Sequence, residues 1–230
     1  MVGLTLFFGD ADYNNQHVGP NERGTFRKRL KFSIARSLEN LQMEYVDILF
    51  LHRYDAHTPI EESVRAVNEI IEDGKALYWG TSEWSPAQIG EAMRVANRLK
   101  LIKPITDQCR YNILNRENVE SKMRPMFEAF NFGNIAFSPL EYGMLTGKYN
   151  KKGGGSGRLT EDNSYMKSFM KGLGLTEGEE TKEGEILLEK LTKLGELAEK
   201  LECTQPQLAV AWVLANMDVD CCILGATKLS

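Results

Sequence analysis

The chain has 230 residues, with 28 Lys and Arg against 32 Asp and Glu, a net charge of −4, and 42% hydrophobic content. This is the make-up of an ordinary globular domain, and it excludes a basic nucleic-acid-binding surface. The apolar runs are strand-sized, well short of the ~20 residues that a membrane-spanning helix needs.

The opening Met1-Val2-Gly3-Leu4 reads as neither the charged nor the apolar region of a secretory signal. Cys109, Cys203, Cys221 and Cys222 form no C-x-x-C and have no metal-ligand spacing. Reduced thiols, a cytoplasmic location and no bound metal are therefore expected.

Taken in chain order, a first strand is expected near Thr5–Phe8. A helix over Thr25–Leu41 follows, with Leu30, Ile34, Leu38 and Leu41 on one face. Val46-Asp47-Ile48-Leu49-Phe50-Leu51 is too short and too rich in β-formers for a helix, and reads as a strand buried on both faces. It ends in His52-Arg53-Tyr54-Asp55, where a barrel strand opens into its active-site loop. Thr58-Pro59-Ile60-Glu61 carries a capping box with proline at the first helical position, and Asp73-Gly74 closes that helix.

The same grammar repeats downstream. Ala76–Ser82 is a strand, and the box Ser85-Pro86-Ala87-Gln88 opens a helix that turns Ile89, Ala92, Met93 and Ala96 inward. The strand Ile105–Cys109 precedes a helix from Arg116 to about Phe130, capped by Asn115. Asn134–Ser138 is the next strand. Helices over Gly184–Leu201 and Gln205–Asn216 and a strand over Cys221–Leu224 complete the series. Such βαβα alternation predicts a parallel sheet, and successive right-handed crossovers make a barrel. Residues 149–183 break the rhythm with Gly153-Gly154-Gly155 and an acidic run, which predicts a flexible loop within one domain spanning 1–230.

The strand ends, read together, carry five segments in order: His52-Arg53-Tyr54-Asp55, Trp79-Gly80-Thr81-Ser82-Glu83-Trp84-Ser85, Gln108-Cys109-Arg110-Tyr111-Asn112, Ser138-Pro139-Leu140-Glu141-Tyr142-Gly143 running on to Lys148-Tyr149, and Leu224-Gly225-Ala226-Thr227. From about Leu6 to Thr227 the chain resembles the aldo-keto reductase superfamily. Its likeness is to the branch holding the β-subunits of voltage-gated potassium channels and their bacterial and plant relatives.

The resemblance implies a (β/α)8 TIM barrel that binds NADP(H) and reduces aldehydes or ketones. It implies that Ser82 and Gln108 bond the nicotinamide carboxamide and that Phe137 or Tyr142 stacks on its ring. Amides of the Ser138, Pro139, Leu140, Tyr142 and Gly143 segment would meet the pyrophosphate, with Lys148 adding charge. Arg158 would grip the 2′-phosphate, and Gly225 and Thr227 would close the cofactor site. His52 would complement the substrate carbonyl, by donating a hydrogen bond or by supporting the proton donor. Channel β-subunits usually carry asparagine there and the reductases histidine. Arg53 and Asp55 are expected to shape the loop.

Against the resemblance, six strands are counted where a barrel has eight. The first two βα units, which would carry a catalytic aspartate and tyrosine, would precede Leu4, and a final helix would follow Ser230. Thr5 stands where the general-base lysine would fall. The function implied is NADPH-dependent carbonyl reduction of a small substrate. The alternatives are a β-subunit-like regulator that holds NADP(H) and docks to a channel α-subunit, and a nucleotide-free remnant. The branch implies homo-oligomers, tetramers among them, and no nucleic-acid partner.

Overall fold

The computed structural model describes residues 3–6, 23–150, 168, 170–175 and 181–225. They form β1 (Gly3–Leu6), α1 (Arg27–Leu41), β2 (Val46–Leu51), α2 (Ile60–Glu72), β3 (Ala76–Ser82), α3 (Pro86–Leu99) and β4 (Thr106–Arg110). A π-helical turn (Asn118–Met123) then runs into α4 (Arg124–Phe130), followed by β5 (Gly133–Phe137) and a 3-10 segment (Glu141–Thr146). The last elements are α5 (Lys182–Lys200), α6 (Gln205–Leu214) and β6 (Cys221–Cys222). Strands neighbour one another in chain order, and β1–β2, β2–β3 and β3–β4 pair in parallel. This is the layout of a partial (β/α)8 barrel. Among the described residues no helix is long and apolar enough to cross a membrane.

The chain divides into two compact units, residues 1–109 with 117–135 and residues 110–116 with 136–230. In the first, β2 buries Val46, Ile48, Leu49, Phe50 and Leu51 almost completely, because a parallel strand is covered on both faces. The α2 helix sets Val64, Val67 and Ile70 against that unit's core at zero exposure, each stabilising by roughly 1.5–3 kcal/mol. Gly80 fits where nothing larger would: a Cβ there would lie 2.7 Å from the Thr106 carbonyl oxygen and 2.8 Å from the Phe50 ring. The capping box at α3 forms as expected, with Ser85 and Gln88 bonding reciprocally, and Ile89, Ala92, Met93 and Ala96 are buried. Gly74 closes α2 at φ +70°.

The second unit gathers Met144, Leu145, Tyr149, Leu191 and Ala209 into an apolar cluster. Tyr149, expected at the start of a flexible loop, is thus a core residue. Thr181 caps α5 by accepting the Gly184 N–H, so that helix begins two residues before the expected Gly184.

Several local expectations are corrected. Thr58 does not cap α2, because its hydroxyl donates to Asp55 Oδ2 at 2.5 Å instead, and the helix starts without a side-chain cap. Asn115 does not cap the helix that follows it. Asn115 and Asn112 exchange backbone hydrogen bonds of 3.0 and 3.2 Å, and the helix starts later, as a π-turn. Leu41 is 44% exposed, since it falls at the end of α1 where Gln42 turns left-handed. The last strand is shorter than expected, although the Ile223 N–H still reaches the Ala136 carbonyl at 2.8 Å.

Candidate functional site

The register of the first unit sets up its polar end. Leu51 pairs with Thr81, and Thr81 with Asp107. The next residue along each of these strands is His52, Ser82 and Gln108. These are the three first-unit residues that the sequence singled out, and they come to one level at the C-terminal strand ends, where a barrel places its chemistry. Thr5 pairs with Phe50, two positions below His52.

Arg53 laces this level together. Its Nη1 donates to the His52 carbonyl at 2.6 Å, to Ser82 Oγ at 3.2 Å and to the Ser82 carbonyl at 3.3 Å. Ser82, only 1% exposed, donates its own hydroxyl proton to the Gln108 carbonyl at 3.1 Å. A hydroxyl has one donor and two acceptor positions. With its proton committed and one lone pair taken by Arg53, Ser82 keeps one acceptor position, which suits an N–H such as that of a carboxamide.

His52 is half-buried, and burial first, then the neighbouring Arg53 charge, hold its imidazole down at about 4. At neutral pH it is therefore uncharged. A neutral imidazole offers one N–H as a donor and holds no surplus proton.

Two carboxylates hold the surrounding loops. Asp107, fully buried, accepts from Thr81 Oγ1 at 2.5 Å, Cys109 Sγ at 3.0 Å, Glu83 N at 3.1 Å and Trp84 N at 3.4 Å. Burial pushes its carboxyl up despite these hydrogen bonds. The bonds fix the left-handed Glu83, φ +56°, directly after Ser82. Burial and then Asp107 also push the Cys109 thiol well up, so it remains protonated and inert. Asp55 accepts from Thr25 N, His57 N and Thr58 Oγ1. Burial raises its carboxyl, but these bonds outweigh burial and the net shift is downward. Arg53 and Asp55 thus shape the loop, as expected, while Trp84 packs edge-on against Tyr54 at 5.1 Å.

In the second unit, the segment after β5 turns sharply. Ser138, Glu141 and Tyr142 take φ of +53°, +46° and +53°, and Gly143 takes +98°. The Glu141 amide bonds the Ser138 carbonyl and the Gly143 amide the Leu140 carbonyl, and Pro139 has no N–H. Of the amides expected to meet a pyrophosphate, that of Gly143 is taken up inside one of these turns. Glu141, 3% exposed, is paired with Arg110 through both oxygens. Asn112 Nδ2 donates to the same carboxylate at 2.6 Å and to the Ser138 carbonyl at 2.9 Å. The Arg110 guanidinium lies 5.5 Å from the Tyr142 ring centroid.

Phe137 is half-buried, its carbonyl accepting the Tyr111 N–H. Pro139 is buried and Leu140 half-buried, whereas Lys148 and Gly225 are exposed. Arg158, Thr227, Phe8 and most of the expected 149–183 loop lie outside the described residues. Thr81, Asp107, Arg110, Asn112 and Glu141 have no expected role in the sequence. Adjacent polar residues on neighbouring buried strands, Thr81 beside Asp107, were the available signal.

Residues 13–230 match the model of the Aldo/keto reductase family, and the chain belongs to that family. A rice protein (Oryza sativa subsp. japonica) named "Probable voltage-gated potassium channel subunit beta" is 42% identical over 228 residues, 99% of this chain and 64% of its own length. An Arabidopsis thaliana protein of the same name is 42% identical over 230 residues, all of this chain and 65% of its own. The chain thus spans less than two thirds of the length of these relatives.

Proposed function

We propose that this chain forms the NADP(H)-holding part of an aldo/keto reductase that reduces aldehydes or ketones, with Ser82 and Gln108 gripping the nicotinamide carboxamide and His52 the substrate carbonyl. The observation that carries this reading is the Arg53–Ser82–Gln108 chain of hydrogen bonds beside a neutral His52. When bound, the cofactor supplies the hydride. The residues supply orientation: Ser82 accepts a carboxamide N–H, and Gln108 offers both a donor and an acceptor. Arg53 keeps the Ser82 lone pair aimed. Orientation of this kind is a large share of catalysis, because transfer requires reacting atoms roughly 3–3.5 Å apart. His52 donates to the carbonyl oxygen and lowers the cost of charge developing there.

In the second unit, the segment from Ser138 to Tyr142 would hold the pyrophosphate, with Gly143 supplying the turn behind it and Lys148 adding positive charge. Arg158 would favour the 2′-phosphate of NADP(H) over NAD(H), and Phe137 or Tyr142 would stack on the ring. The test is titration of the full-length protein with NADP⁺ and NAD⁺ at low and high salt, beside reduction of a model aldehyde. Tighter, salt-sensitive NADP⁺ binding with turnover supports the reading, and equal affinities sink the cofactor preference.

A second reading is favoured by the names of the relatives and by Thr5 at the lysine position. It is a regulatory β-subunit that binds NADP(H), docks to a channel α-subunit, assembles into homo-oligomers and turns over little substrate. Binding without turnover in the same experiment selects it.

A further inference from the structure

We infer that Arg110 and Glu141 act as a positioning pair that sets both the shape and the charge of the turn proposed to hold the cofactor's phosphates, a role that rests on the NADP(H) reading above. Shape comes first. Ser138, Glu141 and Tyr142 all adopt left-handed backbone, which side chains with a Cβ resist, and such conformations persist only where the surroundings over-determine them. Here the determination comes from the end of β4. Arg110 meets both oxygens of Glu141, Asn112 ties that carboxylate to the Ser138 carbonyl, and the Arg110 guanidinium covers the Tyr142 ring. Two side chains from one segment thus fasten the left-handed Ser138, Glu141 and Tyr142.

Charge is the second consequence. A buried carboxylate inside a turn that must welcome phosphate is doubly costly, once for its own desolvation and once for repelling the ligand. The side chain of Glu141 is 4% exposed while that of Arg110 is 30% exposed. The pair therefore hides its anion and presents its cation. Planar, bidentate guanidinium pairing suits this arrangement, and a lysine could not reproduce it.

The experiment is NADP⁺ titration of the full-length protein and of three variants, Arg110→Met, Glu141→Gln and the double variant, with near-UV circular dichroism to check packing and inorganic pyrophosphate as a second probe. Arg110→Met strands the carboxylate and is expected to weaken NADP⁺ and pyrophosphate by roughly tenfold or more. Glu141→Gln weakens them less. The double variant, which has no buried charge to strand and so keeps its packing, binds more tightly than Arg110→Met alone. Weakened binding of both probes by Arg110→Met at an unchanged near-UV circular dichroism spectrum is what a merely structural pair would not produce. Wild-type binding with equal affinity in all three variants, or a double variant no better than Arg110→Met, overturns the pair's role alone. A wild type that binds neither probe overturns the NADP(H) reading and the role with it.

Discussion

The two units solve the problem of holding polar groups in place by different means. The strand ends of the first rest on a rigid ladder: Ser82 sits one residue past a Thr81–Asp107 layer, and a buried carboxylate with four donors fixes the loop beyond it. That carboxylate is held by hydrogen bonds, and the His52 imidazole at the end of β2 is neutral. The turn of the second unit holds three left-handed residues other than glycine, where the loop after Ser82 holds Glu83 alone, and it depends on a buried ion pair. Strand register gives position without backbone strain, whereas a turn that takes an unfavourable shape needs a strong, directional tie. Damage to the buried supports of the first unit should therefore appear chiefly as lost stability, and damage to the turn of the second chiefly as lost affinity.

The sharpest break is Asp107→Ala, which leaves the Thr81 hydroxyl and the Glu83 and Trp84 amides without their shared acceptor. Urea denaturation should show a loss of about 3 kcal/mol or more. A loss under 1 kcal/mol would mean that the ladder alone holds the loop.

A pair of glycine substitutions separates the units directly. Gly80→Ala pushes a Cβ to 2.7 Å from the Thr106 carbonyl and should cost roughly 1–3 kcal/mol of stability through overpacking. Gly143→Ala meets nothing closer than Tyr149 at 3.7 Å, but it strains a residue at φ +98°. Its effect should fall mainly on NADP⁺ affinity. Equal stability losses for the two variants would erase the proposed contrast.

Ser82→Ala removes the hydroxyl between Arg53 and Gln108, and NADP⁺ binding should weaken by about tenfold in isothermal titration, with adenosine 2′,5′-bisphosphate binding unchanged. The smallest effect concerns pH. His52 sits at about 4 in the folded protein, below its ordinary 6.5, so between those values the unfolded chain binds more protons than the folded one. Its contribution is fully present above 6.5 and declines as pH falls toward 4. For a half-buried ring, solvent screening limits this to at most about 1 kcal/mol. His52→Asn should flatten the pH dependence of the urea midpoint across that window, and an unchanged slope would place the titration elsewhere.

What the sequence by itself determined was periodicity and punctuation: the both-face burial of Val46–Leu51, the Ser85–Gln88 cap and the glycine stop at Gly74. These depend on neighbours within a few residues, and the strand-end motifs that mark the family are legible from their order along the chain. Tertiary structure alone decided the partnerships. Thr58 looked like a cap, but Asp55 offered its hydroxyl a buried carboxylate. Asn115 gave way to a turn with Asn112, and Tyr149 was drawn from an apparent loop into a core. Asp107 and Glu141 carry their roles through partners 23 to 31 residues away. Such contacts depend on strand register and chain reversal, which set which polar groups meet away from water, and no local pattern of residues encodes that meeting.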